Sequence, residues 1–156
     1  LKKIGFKTFD SSGDLYCLFY ELGNIILKQN GFLGYITSNK WMRGNYGKVL
    51  RKYFLEETKI LNLIDLGSGI FSSATVDSNI IITQKARVKS QKVKALDISK
   101  EMKIIDFCDI EGKYTTLENL SDATWSIESV NSQQIVKKES SIQNKIIMLF
   151  YMLLSF

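Results

Sequence analysis

Residues 31–85, GFLGYITSNKWMRGNYGKVLRKYFLEETKILNLIDLGSGIFSSATVDSNIIITQK, decide the fold. The apolar run 32–36 ends in the polar group Thr37-Ser38-Asn39-Lys40. Helical spacing follows at Tyr46, Val49, Leu50, Tyr53 and Phe54. Two further apolar runs, 60–66 and 79–83, flank a Gly/Ser-rich turn. This pattern predicts strand, helix, strand, turn, strand. Short buried strands alternating with a helix predict an α/β domain with a mostly parallel sheet covered by helices. Ligands in such sheets bind beyond the carboxyl ends of the strands. Functional residues are therefore expected just after Ile36, after Leu66 and in the turn before Asn79.

Upstream, Asp10-Ser11-Ser12-Gly13 is a turn signal, and Asp14 is placed to cap the next helix or to sit in its first turn. Leu15, Leu18, Phe19, Leu22, Ile25 and Ile26 recur at three- and four-residue spacing, which predicts an amphipathic helix with one apolar face. Gln29-Asn30-Gly31 supplies its stop, with Asn or Gly able to adopt the left-handed conformation.

A second helix is predicted over 41–58. Lys40, Arg43, Lys48, Arg51 and Lys52 bring positive charge there, interleaved with Trp41, Tyr46 and Tyr53. Basic side chains neutralise phosphates and aromatics stack on bases, so the segment suits nucleic acid. It equally suits a solvated helix face with aromatic core contacts.

The composition excludes several chemistries. The chain has 156 residues, long enough for one ordinary domain, and its formal net charge of +5 is compatible with a nucleic-acid partner without demanding one. With no histidine, a His-based triad, general base or metal site cannot exist within it. Two cysteines, Cys17 and Cys108, make neither a disulfide framework nor a zinc cluster and suit a reducing cytoplasm. There is no proline, so any motif that needs one is missing.

Residues 60–69, ILNLIDLGSG, resemble the Asp-x-Gly-x-Gly cofactor loop of S-adenosylmethionine-dependent methyltransferases. That loop leads directly into a helix, whereas here a β-branched, strand-like run follows. A turn joining two strands fits the composition better. Beyond Lys85 a basic connector precedes a possible edge strand at 93–98, and residues 121–141 are polar with Trp125 as an anchor. The terminal stretch 146–156, IIMLFYMLLSF, is too short to span a bilayer, so no membrane partner is expected. A core-packing or partner-packing helix is the expectation there, with an amphipathic or interfacial segment, or a truncated end, as the alternatives.

Five segments in order carry a family resemblance: Asp14-Leu15-Tyr16-Cys17-Leu18-Phe19-Tyr20-Glu21, Gly34-Tyr35-Ile36-Thr37-Ser38-Asn39-Lys40-Trp41, Tyr46-Gly47-Lys48-Val49-Leu50-Arg51, Ile64-Asp65-Leu66-Gly67, and Phe71-Ser72-Ser73-Ala74-Thr75-Val76-Asp77-Ser78-Asn79-Ile80. Together they resemble the N6-adenine DNA methyltransferases. The best match is the Eco57I-like group, in which methylation and restriction share one long polypeptide. The resemblance covers residues 10–85.

That resemblance implies the later half of a catalytic domain. The family's Asn-Pro-Pro-Tyr catalytic motif and its donor loop come earlier in the chain, and a sequence without proline lacks the former. The implied fold is the C-terminal part of a Rossmann-like S-adenosylmethionine-dependent methyltransferase sheet with an antiparallel final strand. Residues 1–95 would be the partial catalytic domain, and 96–156 a connector and the start of a target-recognition or helical region. The implied function is a fragment of a restriction-modification enzyme that methylates a flipped adenine, with no catalytic residue and no metal ligand in this chain. Phe19 sits where the family places an aromatic against the cofactor's adenine ring, and Phe71 where it holds the target adenine. Asn39, Lys40, Trp41, Arg43, Lys48 and Arg51 would face DNA. The implied partners are double-stranded DNA and the remainder of the parent polypeptide or a partner chain, in the cytoplasm. The alternative is a non-catalytic DNA-binding or interaction module derived from the same fold.

Overall fold

The structure, a computed structural model, describes residues 5–69, 71, 76–98 and 114–127. In chain order it contains α1 (Tyr16–Ile26), β1 (Phe32–Ser38), α2 (Lys40–Arg43), α3 (Gly47–Glu57), β2 (Lys59–Gly67), β3 (Ser78–Gln84), β4 (Val93–Asp97) and β5 (Thr115–Leu117). The strands form one sheet in the order β1-β3-β2-β4-β5. β3 lies between β1 and β2 and is antiparallel to both, so β1 and β2 run the same way.

The antiparallel strand is where the sequence put it, but the sheet is not mostly parallel. Among the described residues only β2–β4 pairs in parallel, while β1–β3, β2–β3 and β4–β5 are antiparallel. β3 pairs directly with β2, the strand before it in the chain, and runs antiparallel to it. β4 is also not an edge strand, because β2 and β5 pair with its two sides.

The helix expected over 41–58 is two helices. α2 closes at Gly44, whose N–H donates to the Lys40 carbonyl at 2.7 Å. The chain then folds back so tightly that a Cβ on Gly47 would lie 1.9 Å from the Trp41 carbonyl oxygen. A glycine is required there by space alone. Leu50, Tyr53 and Phe54 of α3 face the sheet at the helical spacing read from the sequence.

The side chains of β2 alternate between two apolar layers, as a strand's period of two requires. Leu63 joins Tyr20, Trp41, Leu50, Phe54, Ile81, Val93 and Trp125 beneath the helices. Ile64 and Leu66 join Ile80, Leu96 and Ile98 in a second cluster. The helix-side layer is built from aromatic pairs: Tyr20 meets Phe54 edge-on at 5.1 Å between centroids, and Phe54 meets Trp41 at 5.2 Å.

α1 departs from expectation. Of the six apolar residues that predicted it, only Leu18 is buried. Leu15, Phe19, Leu22, Ile25 and Ile26 are exposed, and the inner face carries Cys17, Tyr20, Glu21, Gly23 and Asn24. Hydrogen bonds make that face stable inside. The Glu21 carboxylate accepts from the backbone N–H groups of Lys7 and Thr8 and from the Thr8 hydroxyl, and Asn24 Nδ2 donates to the Tyr53 hydroxyl. Asp14 neither caps α1 nor enters its first turn; its carbonyl accepts the Cys17 N–H. Asn30 takes the left-handed conformation, φ 64°, in the turn after α1.

Across the expected division at residues 95 and 96, β5 pairs with β4 and Trp125 enters the helix-side core. The apolar stretch 146–156 lies outside the described residues. No helix among the described residues is long and apolar enough to cross a membrane.

Candidate functional site

β1 and β2 end at the same edge of the sheet, where β3 begins: Ser38 and Gly67 both pair with Ser78. Topology thus brings together the three places at which functional residues were expected. Residues 39–43 leave one strand there, and the connection from Gly67 to Asp77 leaves another and enters the third.

A buried carboxylate organises this edge. Asp65 sits in an apolar run near the end of β2, and its side chain is 3% exposed. Its Oδ1 accepts from Asn39 Nδ2 at 2.8 Å and from the Gly67 N–H at 3.2 Å, and its Oδ2 accepts from Arg43 Nη2 at 3.1 Å. A buried charge is costly unless paired and hydrogen-bonded, and this one is both. Gly67 and Gly69 have φ of 65° and 79°, so the chain leaves β2 through the left-handed region.

A second network lies beside the first. Asn79 Oδ1 accepts from the Trp41 indole N–H at 3.1 Å and from the Thr37 hydroxyl at 3.2 Å. The Thr37 and Tyr20 hydroxyls are 2.8 Å apart. Burial is the main cause that pushes the Tyr20 phenol up.

The residues expected to bind ligands fall into two groups. Phe71 is 44% exposed and Phe19 is 50% exposed, so both rings are accessible. Phe19 directly precedes Tyr20 in α1, and the Tyr20 hydroxyl lies 2.8 Å from that of Thr37 near the end of β1. Lys40 is exposed, Arg43 is half-exposed beside Asp65, and Lys48 is exposed with its ammonium 3.6 Å from Asp122. In contrast, Asn39, Trp41 and Arg51 are buried. Trp41 is a core residue at 0% exposure. The Arg51 guanidinium is spent on three backbone carbonyls, those of Trp41, Gly44 and Asp122. These two side chains do not reach the surface, because the fold between α2 and α3 closes over them.

Asp65 and Asn79 were not singled out as site residues from the sequence. The usable signal was an acid inside the apolar run 60–66, since a carboxylate in a buried strand needs donors nearby.

Chemically the edge offers exposed rings, cations and a fixed carboxylate. Among the described residues the one cysteine is not activated: burial pushes the Cys17 thiol up to about 12, which keeps it protonated at neutral pH. The Asp-x-Gly-x-Gly run closes β2, and the next described strand, β3, pairs antiparallel with it.

Residues 1–71 match the family described as Eco57I restriction-modification methylase. The chain is 34% identical over 82 residues to the type II methyltransferase M.BanIII of Aneurinibacillus aneurinilyticus, covering 51% of this chain and 14% of that protein. It is 30% identical over 128 residues to the type II restriction enzyme and methyltransferase RM.Eco57I of Escherichia coli, covering 81% of this chain and 12% of that protein. Among solved structures it is similar to the methyltransferase subunit of a type I restriction-modification system from Streptococcus thermophilus, with a TM-score of 0.52, 29% identity, and coverage of 63% of this chain and 21% of that one. The chain therefore spans a small part of each relative. The resemblance read from the sequence is supported: the chain is similar to Eco57I-like type II methyltransferases, and its sheet is similar to part of a methyltransferase subunit's fold.

Proposed function

We propose that this chain is the later part of the catalytic domain of a restriction-modification DNA methyltransferase that modifies the N6 position of adenine. The observation that carries the reading is the shared edge formed by β1, β2 and β3, with Phe71 and Phe19 exposed, in a chain of this kinship. A base inside a duplex cannot reach an enclosed methyl donor, so the target adenine must leave the stack. Phe71 offers it a flat apolar face. Phe19 offers the corresponding face to the adenine ring of S-adenosylmethionine, which supplies the methyl group. Lys40, Arg43 and Lys48 are the cations available to the phosphate backbone, while Asn39, Trp41 and Arg51 hold their segment in shape.

The rest of the parent polypeptide, or a partner chain, supplies the donor loop and catalytic motif. The exposed flank of α1 supports this. Leu15, Leu22 and Ile26 follow helical spacing, and Phe32 and Ile36 of β1 are also exposed, on a strand paired through β3 alone among the described residues. Exposed apolar residues on a helix and on the sheet edge beside it suit a docking face. Action on DNA inside a bacterial cell places the parent enzyme in the cytoplasm.

The test uses the parent enzyme, unmodified DNA and isotopically labelled S-adenosylmethionine, with mass spectrometry of the digested nucleosides. Label is expected in N6-methyladenine, and none above background with the 156-residue chain alone. Label in cytosine, or clear transfer by the chain alone, overturns the reading.

A further inference from the structure

We propose that Asn39 and Asp65 are a positioning pair that fixes both ends of the β2–β3 connection, and through it Phe71. The proposal rests on the base-binding role given to Phe71 above. Two contacts of one asparagine carry it. The Asn39 side chain donates to Asp65 Oδ1 at 2.8 Å, and that same oxygen takes the N–H of Gly67, the last residue of β2. The Asn39 main-chain N–H donates to the carbonyl of Asp77 at 2.9 Å, one residue before β3 starts. The departing and returning strands of the connection are thus tied to a single residue that belongs to neither.

Asp65 makes the tie directional. A neutral acceptor would satisfy Asn39 and Gly67, but the carboxylate also binds Arg43, the last residue of α2. Half of Arg43 remains exposed. The pair therefore joins the ligand-edge connection to a helix whose exposed cations are the ones offered to phosphate. The Gly67 end of the connection and the last residue of α2 thus meet on one carboxylate.

The parent enzyme tests this with three variants: Asp65→Asn, Asn39→Ala, and the exchange Asn39→Asp with Asp65→Asn. In the exchange the new amide can donate to the new carboxylate while its oxygen still accepts from Gly67, so the tie re-forms in reverse. A misplacement of about 1 Å costs on the order of 100-fold in rate. Each single variant is expected to lose turnover on that scale, with KM for S-adenosylmethionine within about twofold of the parent, and the exchange is expected to recover much of the loss. Hydrogen–deuterium exchange of residues 66–78 should rise in the single variants and fall back in the exchange. Unchanged exchange in that segment overturns the tie. Raised exchange with unchanged turnover per folded molecule, measured with the melting temperature, overturns the positioning role and leaves a structural one. If a single variant fails to fold, Arg43→Gln at its half-exposed site carries the same readouts, and unaltered exchange and turnover there overturn the link to α2. A parent enzyme that never methylates adenine defeats the proposed function and with it the role toward the base, whereas the exchange data still decide the tie.

Discussion

Trp41 and Trp125 meet edge to face, their ring centroids 5.4 Å apart and their planes at 76°, although one follows β1 and the other follows β5. The Trp125 N–H donates to the Met42 carbonyl at 2.8 Å, and its indole to the Ser121 carbonyl at 2.7 Å. Residues 121–127 are therefore fastened across α2 rather than trailing from the sheet. Trp125→Ala should cost about 3–5 kcal/mol of stability, the range for emptying a large aromatic site. A urea or thermal unfolding midpoint that does not move would remove Trp125 from this core.

Arg51, Lys40 and Lys48 should separate in a salt titration of DNA binding by the parent enzyme. Arg51 is buried against three carbonyls, so Arg51→Ala should destabilise the fold, by about 1–3 kcal/mol for each carbonyl left without a donor. Its folded fraction should keep the parent's salt slope. Lys40→Ala and Lys48→Ala should fold normally and each lower the slope of log K against log salt by about 0.9. The reverse pattern would return Arg51 to the DNA surface.

Phe71 and Phe19 should divide the substrates between them. Both rings are largely accessible, so neither alanine variant should shift the melting temperature much. Phe71→Ala should lose about 1–3 kcal/mol of base contact and leave cofactor binding intact, whereas Phe71→Trp keeps most activity because it keeps a flat ring. Phe19→Ala should weaken S-adenosylmethionine instead. Cofactor titrations and methylation rates on the same variants check the division, and a large drop in melting temperature for Phe71→Ala would make it a packing residue.

Glu57 gives a pH dependence. The Lys7 ammonium donates to its carboxylate, Arg87 does likewise, and together they hold it below its ordinary value of 4.5. A carboxyl lowered by folding adds stability that is present above the unfolded value and lost as pH falls through the folded one. The stability difference between the parent chain and Glu57→Gln should therefore be constant near neutral pH and shrink below about 4.5. Both cationic partners are exposed, so salt should reduce it. A difference that is flat through the acid range would mean the pair contributes nothing.

Much of this molecule was legible in the chain. The runs 32–36, 60–66 and 79–83 are strands, and the helical spacing of Leu50, Tyr53 and Phe54 marks the buried face of α3. Gly67 and Gly69 announced a turn, because positive φ favours glycine. The edge at which ligand-binding residues were expected is present as a place in the fold, because β1 and β2 end where β3 begins. Less legible was the break between α2 and α3. Nothing in MRGNYG says that Gly47 must pass against the Trp41 carbonyl, a contact that exists only after the chain has folded back.

The sequence by itself determined that α1 is a helix, that β1, β2 and β3 are strands, and which family the segments 10–85 resemble. These depend on local periodicity and residue order, which a linear chain displays in full. Only the tertiary structure decided which face of α1 turns inward. The apolar stripe at Phe19 and Leu22 points out, while Glu21 and Asn24 go inside because Thr8 and Tyr53, distant in sequence, satisfy them. It also decided that Arg51 and Trp41 are internal and Lys40 is not. Charge and aromaticity are properties of a residue. Burial is a property of its neighbours, and for these residues the decisive neighbours are supplied by other turns of the chain.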